Sequence, residues 1–566
     1  MNTTISSLQQ QRVQVPRAPR YSPIERASLR AQIDEQVGIV HDFSSTGIGF
    51  KLTSDHIPVL PGTRIPNLQV AVEDSGAYWD CGPARVVRVV GPTDVGIESE
   101  FFLGLEFERD QTAFIEKMAS RLRERATTPG RPAPVLAPAG ADPVIATLDQ
   151  FADYPHQDIL AKCDNFQSWM SAMRGQELWQ RFYRLKIQGP IDHTVKAADY
   201  RGGHRQLTCF DSNSYLGLHR HPLVIEKVLR VTKEVGYGTP SAQLLCGTND
   251  YLVELEDALA RFHGRSDAMV FPTGFAANAG ILRALLRSGD AVFRDQHAHA
   301  SIHEGCRKSG AERNKIFAHN DMNYLERLLQ QAERQDVNGK LVVTDGVFSM
   351  HGELAPVPEL SALCRKYRAR LMVDDAHGVG VLGKTGHGIE EHFDCEGSVD
   401  ILMGTMSKTL GALGGYVVGS RNLIEYLRVY APSGFFTTTL PAPLCAGVTQ
   451  ALKIIETEPE HAQNLWENVR RFVPPLAAAG FVVSGMTSPI VTVFIGKQST
   501  MWKVSRDLYD AGIKAGNVIY PAVPRDGCIL RFTLNARHTA SEIEHAVEQL
   551  IRIGSRHGVT TQQPKA

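Results

Sequence analysis

Gly404-Thr405-Met406-Ser407-Lys408-Thr409-Leu410 lies between two apolar runs. Before it comes Val399-Asp400-Ile401-Leu402-Met403, which reads as a short buried strand. After it come Gly411-Ala412-Leu413-Gly414-Gly415 and a second apolar strand, Tyr416-Val417-Val418-Gly419. A lysine between two strands, with hydroxyls three and one residues before it and one after, suits a Schiff-base lysine with phosphate donors at its side. A solvated loop lysine is the alternative, and the heptamer alone leaves both readings open.

Four other segments bear on that choice. Leu371-Met372-Val373-Asp374-Asp375-Ala376-His377 is an apolar strand ending in two acids and a histidine. A carboxylate at a strand end can pair with a protonated ring nitrogen, or it can simply cap a turn. The run continues into Gly378-Val379-Gly380-Val381-Leu382-Gly383, a formal GxGxxG. Lys384-Thr385-Gly386 follows instead of a helix, so a dinucleotide site is rejected. Val270-Phe271-Pro272-Thr273-Gly274-Phe275-Ala276-Ala277-Asn278 reads as strand, glycine turn and helix start, where free amides suit a phosphate. Asp295-Gln296-His297-Ala298-His299-Ala300-Ser301 offers an imidazole that could stack on a flat ring. Ile529-Leu530-Arg531-Phe532-Thr533 places an arginine inside a strand, where it needs an anion: a substrate carboxylate or an internal salt bridge.

The rest of the chain sets the frame. Apolar strands alternate with helical stretches from about Cys209, the pattern of an α/β protein with a mainly parallel sheet. Beyond Thr439 a long helix, a few strands and a last helix near Ser541 to Ile553 suggest a smaller α+β subdomain. The expected organisation is a flexible leader (1–19), a small β-barrel domain (20–125), a Pro/Ala-rich linker (126–144), a helical segment (145–205), a large domain (206–440), a small subdomain (441–556) and a tail (557–566). A net charge of −1 gives no basic field for nucleic acid or anionic membrane. No apolar run is long enough to span a bilayer, the N-terminus lacks a secretory core, and nine cysteines occur without a CxxC. Metal is not expected, and the expected compartment is cytoplasmic.

Residues 205–553 resemble the α-oxoamine synthases, pyridoxal-phosphate enzymes of fold type I that include the aminooxononanoate, 5-aminolevulinate and aminoketobutyrate enzymes and serine palmitoyltransferase. The resemblance rests on Ser212-Asn213-Ser214-Tyr215-Leu216-Gly217, Gly247-Thr248, Thr273-Gly274-Phe275, His299-Ala300-Ser301, Gly346-Val347-Phe348-Ser349-Met350, Asp374-Asp375-Ala376-His377, Gly404 to Lys408, Phe436-Thr437-Thr438 and Tyr520-Pro521-Ala522-Val523-Pro524. It implies that Lys408 holds pyridoxal 5'-phosphate and later moves the substrate's α-proton. Asp374 would pair with the pyridine nitrogen, His377 and Ser349 with the ring hydroxyl, and His299 would stack on the ring. Thr273, Gly274, Phe275 and Thr405 would hold the phosphate. Thr437 and Thr438 would reach it from a neighbouring subunit, which implies a homodimer with shared sites. Asn213 and Arg531 would orient the amino-acid carboxylate. The implied reaction condenses a small amino acid with an acyl thioester (acyl-CoA or acyl-carrier protein), with loss of carbon dioxide. Leu252 stands where relatives often carry a histidine, which bears on substrate preference.

The N-terminal stretch resembles PilZ domains, barrels that bind cyclic di-GMP, through Arg26-Ala27-Ser28-Leu29-Arg30 and Asp42-Phe43-Ser44-Ser45-Thr46-Gly47. The resemblance implies cyclic di-GMP as a regulatory ligand of Arg26, Arg30, Asp42, Ser44 and Gly47. Two further readings stay open: another fold type I enzyme, an aminotransferase or aldolase, or a cyclic di-GMP receptor with a non-catalytic scaffold.

Overall fold

The computed structural model describes residues 159–198 and 203–559, together with the backbone of the strands between residues 29 and 107. The chain divides into two compact units, Met1–Pro134 and Val135–Ala566. The division falls in the stretch read as a linker, which lies outside the described residues, as do the leader, residues 560–566 of the tail and Arg26.

The first unit contains β1 (Leu29–Ile33), β2 (Gln36–Ser44), β3 (Gly47–Thr53), β4 (Arg64–Ile65), β5 (Gln69–Val72), β6 (Tyr78–Asp80), β7 (Ala84–Val90) and β8 (Glu100–Phe107). They form one sheet in the order β4-β7-β8-β3-β2-β1-β5-β6. Residues 36–40, 47–52 and 84–90 lie on β2, β3 and β7. β8 lies between β7 and β3. Arg30, Asp42, Ser44 and Gly47 fall on β1, β2 and β3.

Among the described residues, the second unit begins with the helix Ala161–Gly175, followed by β9 (Ile187–Gln188), β10 (Thr194–Ala198) and β11 (His204–Cys209). The expectation of a helical segment over 145–205 is therefore corrected for its described later part. Thr194–Ala198 buries Val195 and Ala197 and exposes Lys196, a period of two that a helix cannot satisfy. Its neighbour β11 pairs in parallel with β20 (Ile513–Lys514), so this ribbon belongs to the C-terminal part of the fold.

The central sheet is built from β12 (Asp267–Phe271), β13 (Ala291–Asp295), β14 (Arg313–Phe317), β15 (Lys340–Asp345), β16 (Arg370–Asp374), β17 (Ile401–Thr405) and β18 (Gly415–Gly419), in the order β12-β18-β17-β16-β15-β13-β14. β13 to β17 run parallel, and β18 is antiparallel to both neighbours. The reversal follows from chain length: residues 406–414 are too few for a parallel crossover, which takes a dozen or more. Lys408 sits on that short connection. Ile401 to Thr405 are all buried, as expected where helices cover both faces of a sheet. Cores of Val, Leu, Ile and Phe lie on either side of it. A smaller sheet, β19 (Ile490–Gly496), β22 (Cys528–Thr533) and β21 (Gly516–Val518) in that order, lies with the helices Glu460–Ala478, Gln498–Asp510 and Ala540–Arg556 in the C-terminal part.

Candidate active site

The carboxyl ends of five codirectional strands supply one cavity. β12 leads to Thr273, Gly274 and Phe275; β13 to His299 and Ser301; β15 ends in Asp345 and leads to Ser349. β16 ends in Asp374 and leads to His377, and β17 ends in Thr405 and leads to Ser407 and Lys408. All of these line a cavity of about 280 Å³. Its position outside strand carboxyl ends is where open α/β sheets place their ligands.

The Lys408 connection is pinned at both ends. Met406 N–H donates to Gly414 O at 3.0 Å and Gly411 N–H to Lys408 O at 2.9 Å. Gly411 has φ +66°, and a Cβ there would lie 2.5 Å from His219 Cβ, so the turn calls for glycine. Burial pulls the Lys408 ammonium down from its ordinary value to about 8, against the favourable charges of Asp374 and Asp345. A large fraction of neutral amine is thus present near pH 8, the form needed to attack a carbonyl.

Asp374 is buried, and each carboxylate oxygen accepts one hydrogen bond. Oδ1 takes Ala376 N–H at 3.0 Å and Oδ2 takes an Asn278 amide hydrogen at 2.7 Å. The other Asn278 amide hydrogen goes to Ser301 Oγ at 2.9 Å. Ser301 Oγ lies 2.7 Å from His299 Nδ1, which also accepts Ser301 N–H at 3.3 Å. With Oγ already accepting from Asn278, its own proton points to Nδ1, so the His299 ring proton sits on Nε2. Burial holds His299 below its ordinary value, in keeping with a neutral ring.

On the neighbouring strand end, burial and the Asp374 charge push the Asp345 carboxyl well above the usual range, while His299 N–H donates to it at 3.1 Å. Asp375 serves a different purpose. Its buried carboxyl accepts Ile389 N–H at 2.8 Å, and burial raises it well above the ordinary value. Of the two adjacent acids, one faces the cavity and one caps a turn. The glycines after it sit in turns with no helix, in line with rejecting a dinucleotide loop. His377 is fixed by Tyr215 Oη, 2.6 Å from Nδ1. Burial keeps the tyrosine protonated, so it donates to Nδ1 and leaves Nε2–H as the ring's own donor.

The phosphate-type end is a helix N-terminus. Thr273 caps Gly274–Leu285 by accepting Ala276 N–H at 3.0 Å, which leaves the first-turn amides of Gly274 and Phe275 without helical partners. A Cβ on Gly274 would meet Thr405 Oγ1 at 3.0 Å, so the glycine keeps the cradle open. Thr405 Oγ1 donates to Gly414 O at 3.0 Å and lies 2.9 Å from Ser407 Oγ. Open amides and hydroxyls at one end, a buried carboxylate and a neutralisable lysine across the cavity, and the uncommitted Asn278 Oδ1 fit a phosphorylated pyridine aldehyde.

Arg531, on β22, donates from Nε to Ser349 O at 2.7 Å and from Nη2 to Asn213 Oδ1 at 3.1 Å. The two carboxylate candidates are therefore brought together beside the cavity wall. Thr437 and Thr438 are not among the residues lining this cavity; Thr438 lines a separate groove with Tyr237, Pro272 and Leu413. Leu252 is 1% exposed and packs in the core, so its departure from the family pattern concerns packing and not the cavity. Sequence reasoning assigned no role to Asn278, Ser301, Asp345 or Tyr215. A polar side chain inside the apolar run Ala276-Ala277-Asn278-Ala279-Gly280-Ile281 and an acid closing Leu341-Val342-Val343-Thr344-Asp345 were the available signals.

A fold type I transferase sheet with a lysine on the connection after β17 defines a class, and residues 205–550 match the family described as aminotransferase class I and II. The chain belongs to this family. Within it, 357 residues are 42% identical to 8-amino-7-oxononanoate synthase of Geobacter sulfurreducens, covering 63% of this chain and 90% of that one. The 4-hydroxy-2,2'-bipyrrole-5-methanol synthase PigH of a Serratia species is 37% identical over 73% of this chain; the match spans 63% of PigH's own length. Among solved structures, a serine palmitoyltransferase variant from S. paucimobilis carrying pyridoxal phosphate joined to myriocin superposes with a TM-score of 0.67. It is 30% identical over 71% of this chain and all of that one.

Proposed function

We propose that this chain is a pyridoxal-phosphate-dependent C-acyltransferase of the α-oxoamine synthase type. It would join a small amino acid (glycine, alanine or serine) to an acyl thioester, releasing carbon dioxide and the free thiol and leaving an α-amino ketone. The observation that carries this is that Lys408 and Asp374 line one cavity whose wall residue Ser349 is bonded by Arg531, itself paired with Asn213. Bound pyridoxal phosphate would supply an electron sink for the carbanion at the amino acid's α-carbon. Asp374 would hold a positive charge at the cavity floor, fixed by Asn278 and Ala376. The Gly274 and Phe275 amides, with Thr273 and Thr405, would anchor the phosphate. His299, with its proton on Nε2, would form one wall, and His377 and Ser349 would bond the ring oxygen. Lys408, near neutrality at pH 8, would take and return the α-proton. Arg531 and Asn213 would grip the carboxylate and so set which α-bond lies perpendicular to the ring.

A homodimer with Thr437 and Thr438 serving the partner's phosphate is part of the proposal. It is supported by the apolar side chains exposed around that segment: Tyr237, Leu245, Leu413 and Phe436. A PilZ-type fold and cyclic di-GMP control through the first unit are also proposed, on the RxxxR and DxSxxG sequences alone. No described helix is long and apolar enough to cross a membrane. We place the enzyme in the cytoplasm on the sequence grounds given above.

The test is a product assay. Purified protein with pyridoxal phosphate is given glycine, alanine or serine and a panel of acyl-CoA and acyl-carrier-protein thioesters. Carbon dioxide and free thiol should appear together for one pairing and vanish in Lys408→Ala. Exchange of the amino group without thiol release would instead establish an aminotransferase.

A further inference from the structure

Beside the cavity, but outside it, lies a group of imidazoles and a carboxylate that the proposed reaction does not use. His297 lies two residues before His299; His351 and Glu353 lie two and four residues after Ser349. One ligand-type atom from each of His297, His351 and Glu353 falls within 4.8 Å of the others. We propose that these three residues form a divalent-metal site for zinc or a similar late first-row cation, at the rim of the cofactor cavity.

The ligand set is the first support. Two imidazoles and a carboxylate suit zinc, cobalt or nickel rather than magnesium or calcium, which take oxygen ligands. Around a tetrahedral zinc with bonds of about 2.1 Å, ligand atoms stand about 3.4 Å apart, so each ligand atom need move by only roughly 0.8 Å. His297 and Glu353 are exposed and His351 half-buried, so these rotamers can adjust, and an open fourth position would face solvent.

The supporting shell is the second and stronger argument. Asp295 is fully buried, and its Oδ1 accepts both His297 N–H at 2.7 Å and His319 Nδ1–H at 2.9 Å. His319 Nε2 lies 3.1 Å from Glu353 Oε2. A chain of carboxylate, imidazole and carboxylate thus fixes one ligand's backbone and orients another ligand's side chain, the kind of outer arrangement that metal ligands use. His319 also stacks on the His297 ring at 4.2 Å and meets Phe348 edge-on at 4.3 Å. The turn bearing His351 and Glu353 is closed by the Val347–Leu354 bridge and by Phe348 N–H donating to Glu353 O at 2.9 Å.

A second trio, His221, Glu458 and His461, provides an internal control. There both imidazole Nε2 atoms already lie on one Glu458 oxygen, at 3.3 and 3.2 Å, so the carboxylate is engaged by the histidines themselves. A metal at His297, His351 and Glu353 would tie the segment carrying His299 to the segment carrying Ser349, two walls of the cavity.

The test uses the full chain, treated with chelator and then titrated with zinc by calorimetry, with cobalt(II) absorption as a second readout. Expected are one saturable zinc per chain and an intense low-coordination cobalt spectrum. His351→Ala and Glu353→Gln should abolish both, while His319→Gln should weaken zinc by roughly 10–100-fold. His221→Ala should change neither. Circular dichroism on each variant separates loss of binding from loss of fold, and the cobalt spectrum of the unsubstituted chain reports the coordination independently. Absence of saturable zinc binding, a six-coordinate cobalt spectrum, or binding that survives His297→Ala and His351→Ala but falls in His221→Ala would overturn the proposal.

Discussion

The side-chain amide of Asn278 lies 2.7 Å from Asp374 Oδ2, and both residues are buried. The same amide reaches Ser301 Oγ, so one side chain orients the cavity-floor carboxylate and, through Ser301, the tautomer of His299. In Asn278→Ala both are released. A hydrogen bond to a charged group contributes about 1.5–3 kcal/mol, so kcat/KM should fall by roughly 10- to 150-fold with the fold intact. Wild-type kinetics in that variant would remove Asn278 from the site.

Gly274→Ala should weaken cofactor binding specifically. The added methyl would sit 3.0 Å from Thr405 Oγ1, where the proposed phosphate cradle would need room. The pyridoxal-phosphate dissociation constant, measured by fluorescence titration, should rise by at least tenfold, while affinity for unphosphorylated pyridoxal changes less. An equal loss for both ligands would place the phosphate elsewhere.

Cofactor uptake should depend on pH through Lys408, whose ammonium is brought down to about 8 by burial. The rate of pyridoxal-phosphate uptake should climb with pH and level off above about 8. Stability follows the same group. An unfolded lysine keeps its proton to about pH 10.4, so between about 8 and 10.4 the unfolded chain binds a proton that the native cofactor-free chain does not. The Lys408 contribution therefore makes the apoprotein more stable as pH rises through that window. Lys408→Ala should lack both dependences when melting curves and uptake are compared.

Arg428 offers a stability test far from the chemistry. Its guanidinium meets Asp267 through both Nη1, at 2.9 Å, and Nη2, at 3.0 Å; Nη2 also reaches Glu256 at 3.0 Å. Burial already pushes the Glu256 carboxyl upward, and it also accepts Val270 N–H at 3.0 Å. Arg428→Ala strands that buried carboxylate, at a cost of about 3 kcal/mol. Glu256→Gln in the same background should recover part of it in urea denaturation. No recovery would mean that the loss comes from packing of the arginine stem.

The central strands were legible because they are continuous apolar runs closed by a polar residue, as at Leu371 to Asp374. That Thr273, Asp374 and Lys408 would share one cavity was legible because motif and strand end coincide at each. The β9–β11 ribbon was not: its strands are short and partly polar, and the partner of β11 lies some three hundred residues downstream at Ile513. Asn278 and Asp345 carry no local signature of their partners, which lie on other strands and helices, and Ser301 meets its nearby partner His299 only once Asn278 has oriented its hydroxyl. The His297–His351–Glu353 group escaped for the same reason. Spacing rules find ligands along a chain, and these lie on two segments.

Arg531 touches Ser349 across 182 positions and Asn213 across 318. During synthesis, Thr273, Asp374 and Lys408 leave the ribosome well before this arginine does. On the function proposed above, a nascent chain stopped short of β22 would carry the residues assigned to the cofactor but lack the clamp assigned to the amino acid. Competence for catalysis would then wait on β22, a strand made well after Lys408.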